Sequence, residues 1–192
     1  MEHVASIGFK LIWSLLAIFW LWSARDAKRS TRTEPALLQL VAYWAPLLVA
    51  FVLLGPGEWF EGSLLSERFV PKAPWIKGLG LGVAASGVFL ACWSRHILGR
   101  NWSSVVQLKQ NHDLVDSGPY RYIRHPIYTG LLLAFFGTAL KVGDWRGLIA
   151  VAIVLVSFWR KLRVEERWLA EQFGAVYVAY RQRTKALVPG VV

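Results

Sequence analysis

Long apolar runs alternate with short charged segments along the chain, and this pattern predicts helices that cross a membrane. The apolar runs occupy residues 4–24, 36–54, 78–93, 127–142 and 145–159. Only Gly143 and Asp144 separate the last two runs, so we expect an antiparallel helical hairpin there. Both hairpin runs are shorter than the roughly 20 apolar residues that a spanning helix needs. We therefore expect the final helix to continue into residues 160–173, and the charged residues 160–183 to form an amphipathic helix.

Two of the runs contain residues that shape helices. Pro46 lies inside the second run, where we expect it to kink the helix. The third run contains Gly78, Gly80, Gly82 and Gly87, but no strand precedes them as a nucleotide-binding loop would require. We interpret these glycines as helix-packing residues, with Gly78 and Gly82 forming the small-residue face. The pattern thus predicts an all-α integral membrane protein with about five transmembrane helices, a C-terminal helical hairpin and a cytosolic amphipathic helix.

Composition supports the membrane interpretation and gives an orientation. Of the 192 residues, 55% are hydrophobic and 18% are charged, against about 45–50% and about 25% in soluble domains. The net charge is +10, but sixteen of the 22 Lys and Arg residues lie in segments 25–32, 95–124 and 160–185. Five spans place these segments on one side, which the positive-inside rule makes cytoplasmic. We therefore expect an outside N-terminus, a cytoplasmic C-terminus, no nucleic-acid partner and, in a prokaryote, location in the inner (plasma) membrane.

Several functional classes are disfavoured by what the runs contain. No charged residue lies near the middle of a span, whereas ion-coupled transporters usually keep one on their pathway. The histidines at positions 3, 96, 112 and 125 have no metal-ligand spacing, and Cys92 is the only cysteine. We therefore expect no metal site and no disulfide.

The polar residues that could carry chemistry gather in segments 95–128 and 160–185. These segments flank the predicted hairpin, so we expect them to meet at one membrane face. Pro126 suits the first position of a helix, and the free N–H groups there, with Arg124 and His125, could bind an anion. The two basic residues could instead anchor the helix at the lipid headgroups.

The second polar segment contains two adjacent carboxylates. Lys161 and Arg163 lie at helical spacing from Glu165 and Arg167, so solvated ion pairs would explain part of this pattern. A carboxylate in the segment, from Glu165 or Glu166, could equally accept hydrogen bonds from ribose hydroxyls or an ammonium group.

Six motifs follow one another across the C-terminal half of the chain: Gly99-Arg100-Asn101-Trp102-Ser103, His112-x-Leu114-Val115, Gly118-Pro119-Tyr120, Arg124-His125-Pro126-x-Tyr128-x-Gly130, Glu165-Glu166-x-x-Leu169 and Phe173-Gly174-x-x-Tyr177-x-x-Tyr180. In order and spacing they resemble the isoprenylcysteine carboxyl methyltransferase family and its phospholipid methyltransferase relatives. The resemblance implies a single membrane domain over residues 1–192, with three spans in 1–94 and a cofactor-binding catalytic half in 95–192. It also implies S-adenosyl-L-methionine as cofactor and a lipidic substrate that enters from the bilayer.

The resemblance also assigns roles to individual residues. The implied cofactor-binding residues are Gln107, His112, Leu114, Val115, Tyr120, Arg124, His125, Pro126 and Tyr128, with Glu165 or Glu166 closing the pocket. The family places a basic residue about one helical turn before its cofactor-contacting Glu, near the substrate carboxylate. Lys161 fits this position best and Arg163 is the second choice.

Two reactions are compatible with this resemblance. Carboxyl O-methylation of isoprenylcysteine or a similar lipidic acid is the leading hypothesis, because the motif Gly99-Arg100-Asn101-Trp102-Ser103 favours it over the alternative. A carboxylate is already ionised, so this reaction needs no general base. N-methylation of a phospholipid such as phosphatidylethanolamine is the alternative, and it would need a base to deprotonate the ammonium. Sterol-type reductases and a non-catalytic membrane protein that keeps the fold are two further, less favoured classes. We expect a monomer.

Overall fold

The computed structural model describes residues 2–26, 30–102, 107–109 and 114–190, and these are mostly helical. The α-helices are α1 (Glu2–Ser23), α2 (Ala36–Gln39), α3 (Ala45–Leu53), α4 (Pro74–Leu98), α5 (Pro126–Val142), α6 (Trp145–Phe173) and α7 (Ala175–Arg183). Short 3-10 turns occupy Ala24–Asp26, Gly57–Phe60, Leu64–Ser66, Gly99–Asn101 and Gly118–Arg121. One short antiparallel pair, β1 (Ser30–Thr33) and β2 (Gln107–Lys109), places Arg32 opposite Leu108.

Three stretches of the described chain are long and apolar enough to cross a membrane: Ser6–Ser23, Ala36–Leu53 and Pro74–Leu98. The α5 helix is apolar but shorter, and α6 is apolar only in its first half, before Arg160. Large apolar side chains such as Leu21, Phe89 and Val156 are exposed on these helices, as expected for surfaces that face lipid. The prediction of an all-α integral membrane fold is confirmed, while the number of five spans stays a prediction.

The second membrane stretch is irregular just before its proline, while the expected kink at Pro46 stays a prediction. Helices α2 and α3 are joined by a π-helical turn, Leu40–Trp44, just before Pro46. Proline has no N–H to donate to the carbonyl of Ala42, four residues earlier. That carbonyl instead accepts a hydrogen bond from the Ser157 hydroxyl at 2.8 Å, which ties the stretch to α6.

Helices α4 and α5 pack backbone to backbone through glycines. A Cβ atom placed on Gly87 would lie 2.4 Å from the carbonyl oxygen of Gly130, and one on Gly137 would lie 2.4 Å from that of Gly80. Gly80 and Gly87 share a helix face because they are seven residues, or two turns, apart. The packing prediction therefore holds for these two glycines. It is wrong for Gly78 and Gly82, whose added Cβ atoms would meet nothing within 4 Å.

The predicted C-terminal hairpin is present, and α6 runs past the apolar segment to Phe173 as expected. Gly143 makes the tight link possible because it adopts φ 76°, a left-handed conformation that only glycine enters easily. Its N–H donates to the carbonyl of Ala139 at 2.8 Å and closes α5. Phe135 of α5 and Val154 and Leu162 of α6 are buried in one hydrophobic core, and α7 follows a single-residue break at Gly174.

Candidate functional site

The first turn of α5 and the polar half of α6 meet beside the C-terminal segment 184–187. The backbone N–H of Arg124 donates to the carbonyl of Lys185 at 2.8 Å, and that of His125 donates to Ala186 at 3.0 Å. The Thr129 hydroxyl donates to the carbonyl of Leu187 at 2.7 Å. These bonds fix the position of His125 immediately before α5. They confirm that the two polar segments lie together.

Glu166 pairs with two basic residues where α5, α6 and the segment 184–187 meet, a region called here the junction of α5 and α6. Its Oε1 accepts from Arg124 Nε at 2.6 Å and lies 3.3 Å from His125 Nε2. Burial alone would raise the pKa of this carboxyl, but the hydrogen bonds from His125 and Arg124 outweigh burial and lower its pKa to about 2. Arg124 also donates to the carbonyl of Thr184. Glu166 therefore holds α6, the start of α5 and the C-terminal segment together.

Glu165 faces a different set of groups. Both of its oxygens lie within hydrogen-bonding distance of the Tyr128 hydroxyl, at 2.7 and 2.8 Å. The rings of His125 and Tyr128 are stacked, with centroids 5.4 Å apart and an interplanar angle of 7°. His125 Nδ1 lies 3.7 Å from Glu165 Oε2, so the imidazole stands between the two carboxylates. The Glu165 side chain keeps 20% of its surface exposed, against 9% for Glu166, which leaves Glu165 the more accessible carboxylate.

Lys161 and Arg163 lie on different sides of α6. The Lys161 ammonium is buried, 5.3 Å from the centroid of the Tyr128 ring and 5.6 Å from that of Tyr43. Arg163, two residues later, points about 200° away around the helix axis. Its guanidinium lies 5.3 Å from the Trp159 ring and is exposed. Only Lys161 therefore belongs to the cluster of His125, Tyr128 and Glu165.

The remaining candidate residues surround the junction less closely. Tyr120 and Pro126 are buried, and the Tyr120 carbonyl accepts a hydrogen bond from the Tyr180 hydroxyl at 2.7 Å. Burial, with smaller contributions from Tyr180 and Glu165, raises the pKa of the Tyr120 hydroxyl. Two further candidates, Leu114 and Val115, are half-buried before the turn Gly118–Arg121.

Two sequence-predicted residues have no described side chain. Gln107 lies in β2, of which the backbone alone is described, and His112 lies outside the described residues. Their roles stay predictions. Among the described residues, no group of three or more His, Cys, Asp or Glu side chains is arranged to hold a metal ion.

The sequence analysis missed Tyr43 and Glu34, which contact this region from the N-terminal half. The Tyr43 hydroxyl donates to the buried Glu34 carboxylate, and its ring covers the Lys161 ammonium. A signal for Tyr43 was present, because it carries the only hydroxyl in the apolar run 36–54. Nothing local in the sequence, however, pairs that hydroxyl with α6.

Comparison with known proteins gives a consistent match. A model of the phospholipid methyltransferase family matches residues 75–176, just over half of the chain. A Schizosaccharomyces pombe protein named protein-S-isoprenylcysteine O-methyltransferase is 29% identical over 158 residues, covering 77% of this chain and 67% of the relative. An Oryza sativa subsp. indica protein named "Probable protein-S-isoprenylcysteine O-methyltransferase" is 32% identical over 162 residues, 82% of each chain.

The fold also has a solved counterpart. The structure of the eukaryotic intramembrane Ras methyltransferase, an isoprenylcysteine carboxyl methyltransferase, superposes with a TM-score of 0.53 at 24% identity. The match covers 82% of this chain and 54% of that one, and it establishes the similarity of fold. Against several curated relatives the chain spans about half to two thirds of their length.

Proposed function

The chain belongs to the isoprenylcysteine carboxyl methyltransferase and phospholipid methyltransferase family, and from this premise we propose that it is a membrane methyltransferase acting on a lipidic carboxylate. The proposed reaction moves a methyl group from S-adenosyl-L-methionine to the carboxylate of an isoprenylcysteine or a similar acid. One observation carries the choice of acceptor. Lys161 provides a buried, fixed ammonium beside Tyr128, and such a charge attracts a carboxylate and repels a cationic amine headgroup.

The residues near Glu165 fit the proposed cofactor. A partly exposed carboxylate and the stacked rings of His125 and Tyr128 suit a ligand that combines hydroxyl groups, a planar base and a cationic centre. When bound there, S-adenosyl-L-methionine would supply an electrophilic methyl group on a sulfonium. Glu165, His125, Tyr128 and Tyr120 would hold it, with Leu114, Val115, Pro126, Gln107 and His112 as further candidates. Arg124 and Glu166 would act by fixing this wall through their ion pair.

The residues present match what carboxylate methylation requires. The acceptor oxygen is already ionised near neutral pH, so no side chain has to remove a proton. Lys161 would orient the carboxylate, and the surrounding rings of Tyr43, Tyr128 and Phe158 would limit access of water. Arg163, the second choice on sequence grounds, is not assigned this role because it points away from Glu165.

Phospholipid N-methylation stays the second candidate because one observation favours it. Glu165 keeps part of its carboxylate exposed beside Tyr128, and a carboxylate there could bind an ammonium headgroup and take up its proton. The family model that matches the chain also carries the phospholipid methyltransferase description.

The orientation in the membrane is part of the proposal. The basic flanks of the spans favour a cytoplasmic junction of α5 and α6, an outside N-terminus and a cytoplasmic C-terminus. The lipidic substrate would then enter from the bilayer and the cofactor from the cytosol. We also propose that the chain works as a monomer.

The choice between acceptors can be tested by radiolabel transfer. Purified protein in nanodiscs is supplied with methyl-labelled S-adenosyl-L-methionine and either N-acetyl-S-farnesylcysteine or phosphatidylethanolamine. The proposal predicts base-labile label in the prenylcysteine, because methyl esters hydrolyse in base. Base-stable label in the phospholipid would move the assignment to N-methylation, and an absence of label in both would contradict the proposal.

The role of Lys161 has a separate test. Lys161→Met should raise KM for the prenylcysteine at least about tenfold, since a charged hydrogen-bonding partner contributes about 1.5–3 kcal/mol. Lys161→Arg should recover part of that loss. Lys72→Met, which removes an exposed lysine elsewhere, is the matched control. Equal KM values in the Met variants at both positions would contradict the assignment of Lys161.

A further inference from the structure

A second candidate site lies on another side of α6 from His125, Tyr128, Glu165 and Lys161, which together are called the Glu165 cluster. A cleft of about 740 Å³ opens between residues 32–35, ahead of α2, and the polar half of α6. Its lining includes Arg32, Arg160, Arg163 and Arg167, against one carboxylate, Glu34. None of the nine described residues that line the cleft belongs to the cluster of His125, Tyr128, Glu165 and Lys161. The cleft therefore concentrates positive charge at a place that the proposed reaction does not use.

Helical spacing separates the two sites. Arg160, Arg163 and Arg167 are three and four residues apart, so they form one stripe on α6. Glu165 lies two residues from both Arg163 and Arg167, which turns it about 200° away around the axis. The stripe and the Glu165 cluster therefore face different surroundings on the same helix.

The cleft lies at the boundary between polar and apolar surface. The apolar half of α6 ends at Trp159, immediately before the first arginine of the stripe, and the membrane stretch Ala36–Leu53 begins just after the other wall. Val156, one turn before Arg160, has 70% of its surface exposed, and Leu37, two residues after the other wall, has 73%. Exposed apolar side chains therefore continue directly from the basic cleft into the span. This boundary between polar and apolar surface is where lipid headgroups are expected.

The walls of the cleft are held by their own contacts. Arg32 pairs with Glu171 at 2.7 Å and lies over the ring of Trp168 at 4.3 Å. Arg160 donates to the Tyr43 hydroxyl at 3.2 Å. The Glu34 carboxylate accepts from the same Tyr43 hydroxyl, which holds it against the wall of the cleft. Arg163 and Arg167 are exposed, so their guanidinium groups are accessible to a ligand.

We propose that this cleft binds the phosphate group of an anionic phospholipid. Guanidinium groups match phosphate oxygens in charge and in hydrogen-bond geometry, and a lipid would lay its acyl chains along the exposed apolar surface beside the cleft. The continuity with apolar surface selects a lipid over a soluble phosphate, which would use the arginines alone. The proposal does not depend on the methyl-transfer reaction.

Native mass spectrometry of the purified 192-residue chain tests the proposal, with dioleoyl-phosphatidylglycerol and dioleoyl-phosphatidylcholine as probes. The test variant is Arg163→Gln/Arg167→Gln, which removes the two exposed arginines. The control variant Arg25→Gln/Arg121→Gln removes two exposed arginines outside the cleft. A charge-conserving variant, Arg163→Lys/Arg167→Lys, shows whether any loss comes from misfolding, and melting temperatures are compared in parallel.

The expected result is that the Gln test variant, and not the control variant, loses most of its binding of the anionic lipid. The anionic lipid should bind the unaltered chain more tightly than the zwitterionic lipid, and the Gln test variant should weaken that binding at least about tenfold, on the order of fivefold per basic side chain near an anionic surface. The control variant should change it less than about twofold, and the Lys variant should keep most of it. Equal losses in the test and control variants, or no loss, would overturn the proposal. Displacement of the lipid by millimolar inorganic phosphate would also overturn it, by identifying a soluble phosphate site.

Discussion

Glu166→Gln is the substitution that best distinguishes the structural role of Glu166 from the role of the adjacent Glu165. The carboxylate pairs with Arg124 and His125, and its pKa is lowered from 4.5 to about 2. A shift of that size corresponds to about 3 kcal/mol of stabilisation of the folded state. The Glu166 side chain is 9% exposed, so solvent screening does not reduce this figure much. Removing the charge also leaves the Arg124 guanidinium, itself 10% exposed, without its closest carboxylate.

Reversible unfolding in mixed micelles measures this effect as a free energy of unfolding. Glu166→Gln should lose about 3 kcal/mol, whereas Glu171→Gln, which breaks an exposed pair with Arg32, should lose less than about 1 kcal/mol. Glu165→Gln should also lose less than about 1 kcal/mol, because a glutamine oxygen still accepts from Tyr128. If Glu166→Gln is no less stable than Glu171→Gln, the account of the junction is wrong.

Three further predictions concern pH, packing and the site. Because the pKa of Glu166 is lowered in the folded state, the stability that its charge contributes to the fold is complete above about pH 4.5 and is lost as the pH falls toward 2. The difference in melting temperature between the unaltered chain and Glu166→Gln should therefore shrink over that range. A constant difference would contradict this prediction. Gly87→Ala should lower the free energy of unfolding by about 1–3 kcal/mol, because the added methyl group would press on the Gly130 carbonyl oxygen. The matched Gly78→Ala should leave it unchanged, since nothing lies within 4 Å there. Equal effects of the two substitutions in unfolding experiments would refute the packing assignment. Tyr128→Phe should lower kcat/KM for methyl transfer about tenfold or more with little change in melting temperature, because it removes only the hydroxyl that contacts Glu165; unchanged kinetics would exclude that contact from the site.

The helices were predictable because hydropathy and helix ends are local properties. The apolar pattern predicts a span over residues 78–93, and the structure extends this helix to Pro74–Leu98. The continuation of the last helix past Trp159 was predicted from the length that a bilayer requires. The choice of packing glycines was not predictable in the same way. Gly80, Ala84 and Gly87 share one face of α4 by their spacing, but that this face is the one that meets α5 is visible only once the partner helix is in place.

The composition of the site was partly predictable from motifs, but its partnerships were not. The sequence left open which adjacent carboxylate faces the site and which basic residue accompanies it. Those choices depend on the rotation of α6 about its own axis relative to α5, which is set by contacts between residues 37 to 42 positions apart. Tyr43 was missed for the same reason, since it reaches Lys161 from the other half of the chain.

Equilibrium binding of S-adenosylhomocysteine to the purified chain tests the central claim most directly. The unaltered chain and Glu171→Gln should bind it with equal affinity, and Glu165→Gln should bind it at least about tenfold more weakly, as expected when a charged hydrogen-bonding partner is lost. The two variants make the same chemical change on the same helix, at positions that differ in their surroundings. Equal affinity in all three proteins, or no binding to the unaltered chain, would contradict the assignment of the cofactor site to the junction of α5 and α6.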